Sequence, residues 1–255
     1  KYQGTGNDFI MLDNFSGQYD NLSIADIQLA CDRKFGIGAD GLILLAQHPS
    51  SDFEVIYYNA DGTQSFCGNG ARCAVAFAAA LGKLKSANTS FMAIDGLHEA
   101  VICQDEVKLK MSDVSPIQKR GQDFELNTGS PHYICLDNDH SSAHVAQLGK
   151  QIRYNDTYKE QGINVNLMSL LEDGLRVATY ERGVEAETLS CGTGVTAAAL
   201  VYAQLQNIPA GSVKVQTKGG QLQVQWQTQP DGSFTDVFLT GPAQYIFNGT
   251  YELRR

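Results

Sequence analysis

Phe66-Cys67-Gly68-Asn69-Gly70 runs into the alanine-rich stretch Ala71–Leu81, and the pattern returns as Ser190-Cys191-Gly192-Thr193-Gly194 running into Val195–Leu205. The two cysteines are 124 residues apart. The same offset sets Gly4-Thr5-Gly6-Asn7-Asp8-Phe9-Ile10 against Thr128-Gly129-Ser130-Pro131-His132-Tyr133-Ile134, and Gly38-Ala39-Asp40 against Gly162-Ile163-Asn164. Tyr58-Asn59 matches Tyr180-Glu181 at a slightly shorter offset, because the turn leading to the second cysteine is longer. Self-similarity at one fixed period is a statement about architecture. This period is too long for a solenoid and suits two domains of ordinary size.

Read outward from these blocks, each half predicts the same order of elements. Asp8–Asp13 reads as a strand and Ser23–Lys34 as a helix capped by Ser23 and stopped by Gly36. Leu42–Ala46 and Glu54–Tyr58 read as short apolar strands, and Ala71–Leu81 as a buried central helix. Ser90–Ile94, Glu99–Cys103 and Val107–Met111 form a meander. The second half predicts strands near His132–Leu136, Asn164–Met168 and Gly174–Tyr180, and helices near Ala143–Lys150 and Gly194–Gln206. Strands at Ser212–Thr217, Gln221–Thr228 and Phe234–Leu239 close it. The fold class is α+β: two pseudo-symmetric domains, each a mostly antiparallel, barrel-like sheet around one hydrophobic helix. The polar segment Ser112–Gln122 is the natural linker. The domains are set at 1–116 and 117–243, with the tail 244–255 returning to the first.

Composition narrows the function. The chain has 255 residues, 43% of them hydrophobic, enough for two proper cores. A formal net charge of -9 argues against nucleic acid or an anionic membrane as partner. The longest apolar runs are too short to span a bilayer, and no signal peptide is visible. The six cysteines, Cys31, Cys67, Cys73, Cys103, Cys135 and Cys191, include no Cys-x-x-Cys pair. A reduced state is expected, and no structural zinc site.

Free cysteine is usually a small core residue, the reading adopted for Cys31, Cys73, Cys103 and Cys135. Cys67 and Cys191 differ, because glycines follow them and helices begin beside them. A helix N-terminus favours a thiolate and offers unpaired N–H groups to a carboxylate. One turn therefore supplies a reactive sulfur and an anion socket. Two such turns, facing one another about a pseudo-twofold axis, would hold one carboxylate and place a thiol on either side of the adjacent carbon. That is the geometry of a two-base racemisation or epimerisation, with the enediolate stabilised by the helix ends. The thiols would titrate as a coupled pair.

Other signals carry less. Gly36-Ile37-Gly38-Ala39-Asp40-Gly41 matches a dinucleotide fingerprint but follows a helix and precedes a strand, the reverse of the required context. His140 and His144 have metal-ligand spacing without a third ligand, so no metal is expected. No lysine context suggests pyridoxal phosphate, so no cofactor is expected. His132 and its repeat partner Asp8 are read either as structural groups or as groups that orient a thiol. Glu181 and Arg182 are read either as a surface ion pair or as recognition of a second charged group on the substrate.

Taken together, Gly4-Thr5-Gly6-Asn7-Asp8-Phe9, Asn59-Ala60-Asp61-Gly62, Cys67-Gly68-Asn69-Gly70-Ala71-Arg72-Cys73, Glu181-Arg182-Gly183 and Cys191-Gly192-Thr193-Gly194 resemble diaminopimelate epimerases over nearly the whole chain. The resemblance implies the fold of that family and interconversion of LL- and meso-diaminopimelate for lysine and peptidoglycan precursors. It also implies a cytoplasmic, cofactor-free homodimer. Cys67 and Cys191 match its acid/base cysteines, and Gly68, Asn69, Gly192 and Thr193 the positions whose backbone holds the reacting carboxylate. Asn7, Asn59, Asn164, Glu181 and Arg182 match residues around the substrate. Two positions depart from the pattern: Ser130 stands where asparagine is common, and Gly41 where some members carry a glutamine. Proline racemases share the fold and the cysteine pair but differ at these blocks. A thiol redox protein would account for the cysteines but not for the glycine-lined helix ends.

Overall fold

In the computed structural model, which describes residues 1–253, the chain divides into two compact units. The first is Lys1–Leu109 with the segment from Gly241 onward, and the second is Lys110–Thr240.

In the first unit β1 (Tyr2–Gly4) and β2 (Asn7–Asp13) form a tight hairpin, and α1 (Ile24–Cys31) leads to β3 (Gly41–Ala46) and β4 (Phe53–Asn59). Then come α2 (Gly68–Ala80) and the meander β5 (Asn88–Ala93), β6 (Gly96–Cys103) and β7 (Glu106–Lys110). The sheet is mostly antiparallel, with parallel pairs β2–β3 and β4–β5. Helix α2 packs on β1, β2, β3, β4 and β6, so the sheet curls around it. Its alanines explain this: Ala71, Cys73, Ala74, Val75 and Ala78 are buried, and small side chains let strands approach from several directions. The strand Gly41-Leu-Ile-Leu-Leu-Ala46 is apolar throughout because both its faces are covered. Leu42 and Leu44 join Ile10 against α1, while Ile43 points to the start of α2.

The second unit repeats this order. β8 (Gln118–Arg120) and β9 (Asp123–Asn127) lead into β10 (Pro131–Leu136), α3 (Ser142–Arg153), β11 (Asn164–Leu171) and β12 (Gly174–Glu181). A short β13 (Ala186–Thr188) precedes α4 (Gly192–Leu205), and β14 (Ala210–Thr217), β15 (Gly220–Thr228) and β16 (Phe234–Pro242) complete the meander. Parallel pairs again interrupt an antiparallel sheet, at β10–β11 and β12–β14. Helix α4 is touched by β9, β10, β11, β12, β14 and β15 and is buried nearly all round. In β15 Leu222, Val224 and Trp226 are buried while the intervening glutamines face water, so this part of the sheet is covered on one side only.

The structure differs from the sequence expectations in four places. Helix α1 ends at Cys31, before Gly36, because the Asp32 carboxylate accepts the N–H groups of Lys34 and Phe35 and turns the chain. Its start is as expected, a capping box between Ser23 and Asp26. Helices α2 and α4 begin directly after Cys67 and Cys191, so the glycine blocks are their first turns. The first boundary falls after Leu109, ahead of 116, because Met111 and Val114 hydrogen-bond to Val237 and Phe234 within the second unit. The second falls after Thr240, ahead of 243. The tail forms β17 (Gln244–Tyr245) on β1, and the Ile246 N–H donates to the Lys1 carbonyl. Among the described residues no helix is long and apolar enough to cross a membrane.

Candidate active site

Each unit places one cysteine at the N-cap of its buried helix. Cys67 is extended there (φ -131°), and its Sγ accepts the Gly70 N–H at 3.5 Å. Cys191 is the N-cap of α4 (φ -113°) and is 8% exposed. In both, the sulfur lies beside the glycine-rich first turn of the helix, the end at which backbone N–H groups and the helix dipole favour an anion. The other cysteines sort differently. Burial pushes the Cys31 thiol up to about 11 and those of Cys73 and Cys135 up to about 12, so they are inert core groups. Cys103 departs from its expected core position and is exposed, because it ends β6 at a hairpin where Gln104 adopts φ 55°.

The first unit's turn is held by a polar cluster under α2. Asn69 Nδ2 donates to Asn7 Oδ1, and Asn7 in turn donates to Asp40 at 3.0 Å. Asn69 Oδ1 accepts from the Arg72 guanidinium at 3.0 Å, which also donates to Thr5 Oγ1 at 3.2 Å. Thr5 sits in the β1–β2 turn at φ 47°, a strained conformation stabilised by these contacts. Arg72 is fully buried, and its Nη1 has no hydrogen-bond partner. Desolvation lowers its pKa from the usual arginine value. An uncompensated cation beneath the turn favours negative charge above it. Asn59 ends β4 and staples the following turn, donating to Thr63 and Ser65 and accepting from Tyr57. Asp8 is engaged by two cations. It pairs with Lys1 at 2.7 Å and Arg33 at 2.6 Å, and these cations outweigh its partial burial and hold it at about 2. Asp8 and His132, partners in the repeat, thus sit in unlike surroundings, the first between two cations and the second buried against an amide and a hydroxyl.

In the second unit His132 is buried and its Nε2 lies 2.9 Å from Thr193 Oγ1, which is 3.4 Å from Cys191 Sγ. Burial, with Arg182 nearby, depresses His132 to about 3, so the ring is neutral. Asn164 accepts the Arg182 N–H at 2.9 Å and donates to Ser130 at 2.9 Å. Arg182 projects to Gln161 and Ser130, whereas the Glu181 carboxyl is raised above the usual range by burial. Thus Ser130 uses its hydroxyl to join Asn164 to Arg182. Gly41 admits no side chain, since a Cβ there would sit 2.5 Å from the Tyr58 carbonyl oxygen.

Two groups escaped the sequence reading: Arg72 and Asn166. Arg72 is a charged residue within a helix of buried alanines, which marks it as a group held for its charge. Asn166 is two residues after Asn164 on β11 and shares its face, two buried amides alternating with Val165 and Leu167. Alternation within such a strand is the signal that would have found it.

The buried neutral imidazole has a consequence for stability. Below pH 6.5 the unfolded chain binds a proton at His132 that the native state refuses down to about 3. Stability is therefore full above pH 6.5 and falls as the pH drops, by at most roughly 1.4 kcal/mol per pH unit from this group. His132→Asn is expected to remove that slope, so the stability gap between wild type and variant narrows from pH 7 to pH 5. Urea unfolding at the two pH values, followed through Trp226, measures it, and a constant gap contradicts a neutral His132.

The profile of the family described as diaminopimelate epimerase matches residues 1–116 and 124–246. The diaminopimelate epimerase of Flavobacterium psychrophilum is 46% identical over 253 residues, covering 98% of each chain. That of Chlorobaculum tepidum is 39% identical over 260 residues, covering 98% of this chain and 99% of its own. Among solved structures, a phenazine biosynthesis protein of the PhzF family from Bacillus anthracis aligns with a TM-score of 0.72 at 12% identity, over 96% of this chain and 95% of that one. A probable proline racemase from Agrobacterium radiobacter aligns with a TM-score of 0.67 at 15% identity, over 99% and 92%. These structures share the fold. The length and identity of the sequence matches go further: the chain belongs to the diaminopimelate epimerase family and is an isomerase of the epimerase type.

Proposed function

We propose that this chain interconverts LL- and meso-diaminopimelate without a cofactor, using Cys67 and Cys191 as a thiolate and thiol on opposite faces of one α-carbon. The observation that carries this reading is the cysteine at the N-cap of each buried helix, twice in one chain. The thiolate takes the α-proton, the C–H electron pair moves into the carboxylate as an enediolate, and the opposite thiol delivers its proton to the other face. N–H groups of the turns Gly68–Gly70 and Gly192–Gly194 hold the carboxylate and strengthen as charge builds on it. Asn7 and Asn69 fix the first turn, and Thr193 the second. Asn59, Asn164, Glu181 and Arg182 recognise and frame the distal amino-acid end. The role belongs in the cytoplasm, in supply of lysine and peptidoglycan precursors. The active form is a homodimer, for which exposed Phe35, Ile246 and Phe247 of the first unit provide apolar surface. Sedimentation at micromolar concentration checks the dimer. The test of the activity is incubation of LL-diaminopimelate with the reduced protein in D2O. Appearance of meso product carrying deuterium at the inverted carbon is expected, and no conversion refutes the reading.

Arg182 grips a carboxylate remote from the reacting carbon, so its contact changes little between ground and transition state. Arg182→Ala is therefore expected to raise KM by about tenfold or more while kcat stays within about threefold. A loss confined to kcat would place Arg182 at the reacting end instead.

A further inference from the structure

We propose that Asn166, His132 and Thr193 form a one-way hydrogen-bond chain ending on Cys191 Sγ, which stabilises the thiolate form of Cys191. This deepens the acid/base reading of Cys191 and rests on it.

The direction of the chain follows from the partners at its far end. One edge of the Asn166 amide faces the Tyr133 carbonyl at 3.1 Å and His132 Nδ1 at 3.0 Å, and the other edge faces the Thr179 hydroxyl at 2.8 Å. A carbonyl oxygen can only accept, so the edge toward Tyr133 is the NH2 group. Its second hydrogen points at His132 Nδ1, which must then be the unprotonated nitrogen. The neutral ring carries its proton on Nε2 and donates it to Thr193 Oγ1 at 2.9 Å. Thr193 Oγ1, already accepting from the ring, turns its own hydrogen to its remaining partner, Cys191 Sγ, at 3.4 Å. The reverse flow would set a ring N–H against the Asn166 NH2. Asn166 and His132 are both wholly buried, so water does not scramble the order. Strand β11 supplies Asn166, β10 His132, β12 Thr179 and α4 Thr193. Among the described residues, the ionisable groups facing this chain besides the histidine are Arg182 and Cys191, and the Arg182 cation further disfavours a charged ring.

A hydroxyl donated to sulfur stabilises thiolate far more than thiol, since hydrogen bonds to charged acceptors are the stronger ones. The first unit is built differently. At the position corresponding to Thr193 stands Asn69, whose amide is turned to Arg72 and Asn7. The pseudo-symmetric scaffold thus poises its two thiols by unlike means, a relay of neutral donors beside Cys191 and a buried cation beneath Cys67. Asn166 and His132 are positioning residues in this scheme.

The test reads thiolate directly, without turnover. In the Cys67→Ala full chain, iodoacetamide alkylation of Cys191 is followed against pH by peptide mass spectrometry, with no substrate. Thr193→Val is expected to slow alkylation at pH 7 by about tenfold and to move the midpoint of the pH profile upward, while Thr193→Ser keeps both near the parent. His132→Asn is expected to cause the same loss, and the double variant no more than either single one, because the groups act in series. An unchanged rate in folded Thr193→Val, or losses that multiply, overturns the proposal. If a variant fails to fold, 15N NMR of the parent decides: Nδ1 of His132 unprotonated and Nε2 protonated from pH 5 to 8 is required, and the opposite tautomer refutes the chain. Failure to epimerise diaminopimelate with this alkylation pattern intact would remove the substrate reading and leave the relay standing.

Discussion

Cys67→Ala and Cys191→Ala are each expected to lower epimerisation by about 10⁴-fold or more, with the fold retained. Neither sulfur can do both jobs. Inversion needs a base on one face and an acid on the other, and one thiol reaches only its own face. The structural cost is small. Both residues stand at helix N-caps in extended backbone that alanine also adopts. Circular dichroism and Trp226 fluorescence are therefore expected to match wild type while meso product disappears. Either variant retaining a tenth of wild-type turnover would sink the two-base reading.

Gly194→Ala is expected to destabilise the second unit by about 1–3 kcal/mol and to abolish most activity. Two effects compete. Glycine inside a helix costs about 1 kcal/mol relative to alanine, so the substitution on an open helix would stabilise. Here the new Cβ would lie 2.3 Å from Asn166 Oδ1, 3.2 Å from Thr179 Oγ1 and 3.3 Å from His132 Cε1. Asn166 cannot swing aside without breaking its bonds to Thr179, Tyr133 and His132. The clash outweighs the helix gain, and what shifts is the group array beside Cys191. The chain's single tryptophan, Trp226, is buried on β15 in the same unit, so urea unfolding followed by its fluorescence reports this unit. Equal or higher stability of the variant would show that α4 does not press on these side chains as described.

The duplicated cysteine-glycine blocks were legible as sequence because they are local. A cysteine, two glycines and an alanine run specify a helix start and a buried helix wherever they occur, and their repetition specifies two units of one architecture. The strands were legible from alternation, as in Gln221–Thr228, or from unbroken apolar runs, as in Gly41–Ala46. Short strands such as Tyr2–Gly4 and Ala186–Thr188 were not, because three residues carry no period and exist only through their partners. The boundary at Leu109 was hidden for the same reason: the backbone bonds of Met111 and Val114 to a strand more than a hundred residues away set it.

The side-chain assignments divide along the same line. The sequence by itself determined which residues could do the chemistry: Cys67 and Cys191 at helix starts, and His132 and Asp8 as ionisable groups at equivalent places in the repeat. Tertiary structure decided what each of them is bonded to. Asp8 is taken up by Lys1 and Arg33, two cations that converge on it only in the folded unit. His132 is stripped of water, made neutral and aimed at Thr193 by Asn166, which is a neighbour across the β10–β11 pair and not along the chain. Residue type and spacing set what a group can donate or accept. Burial and the partner at the other end of each hydrogen bond set its charge and direction, and those are properties of packing between distant segments.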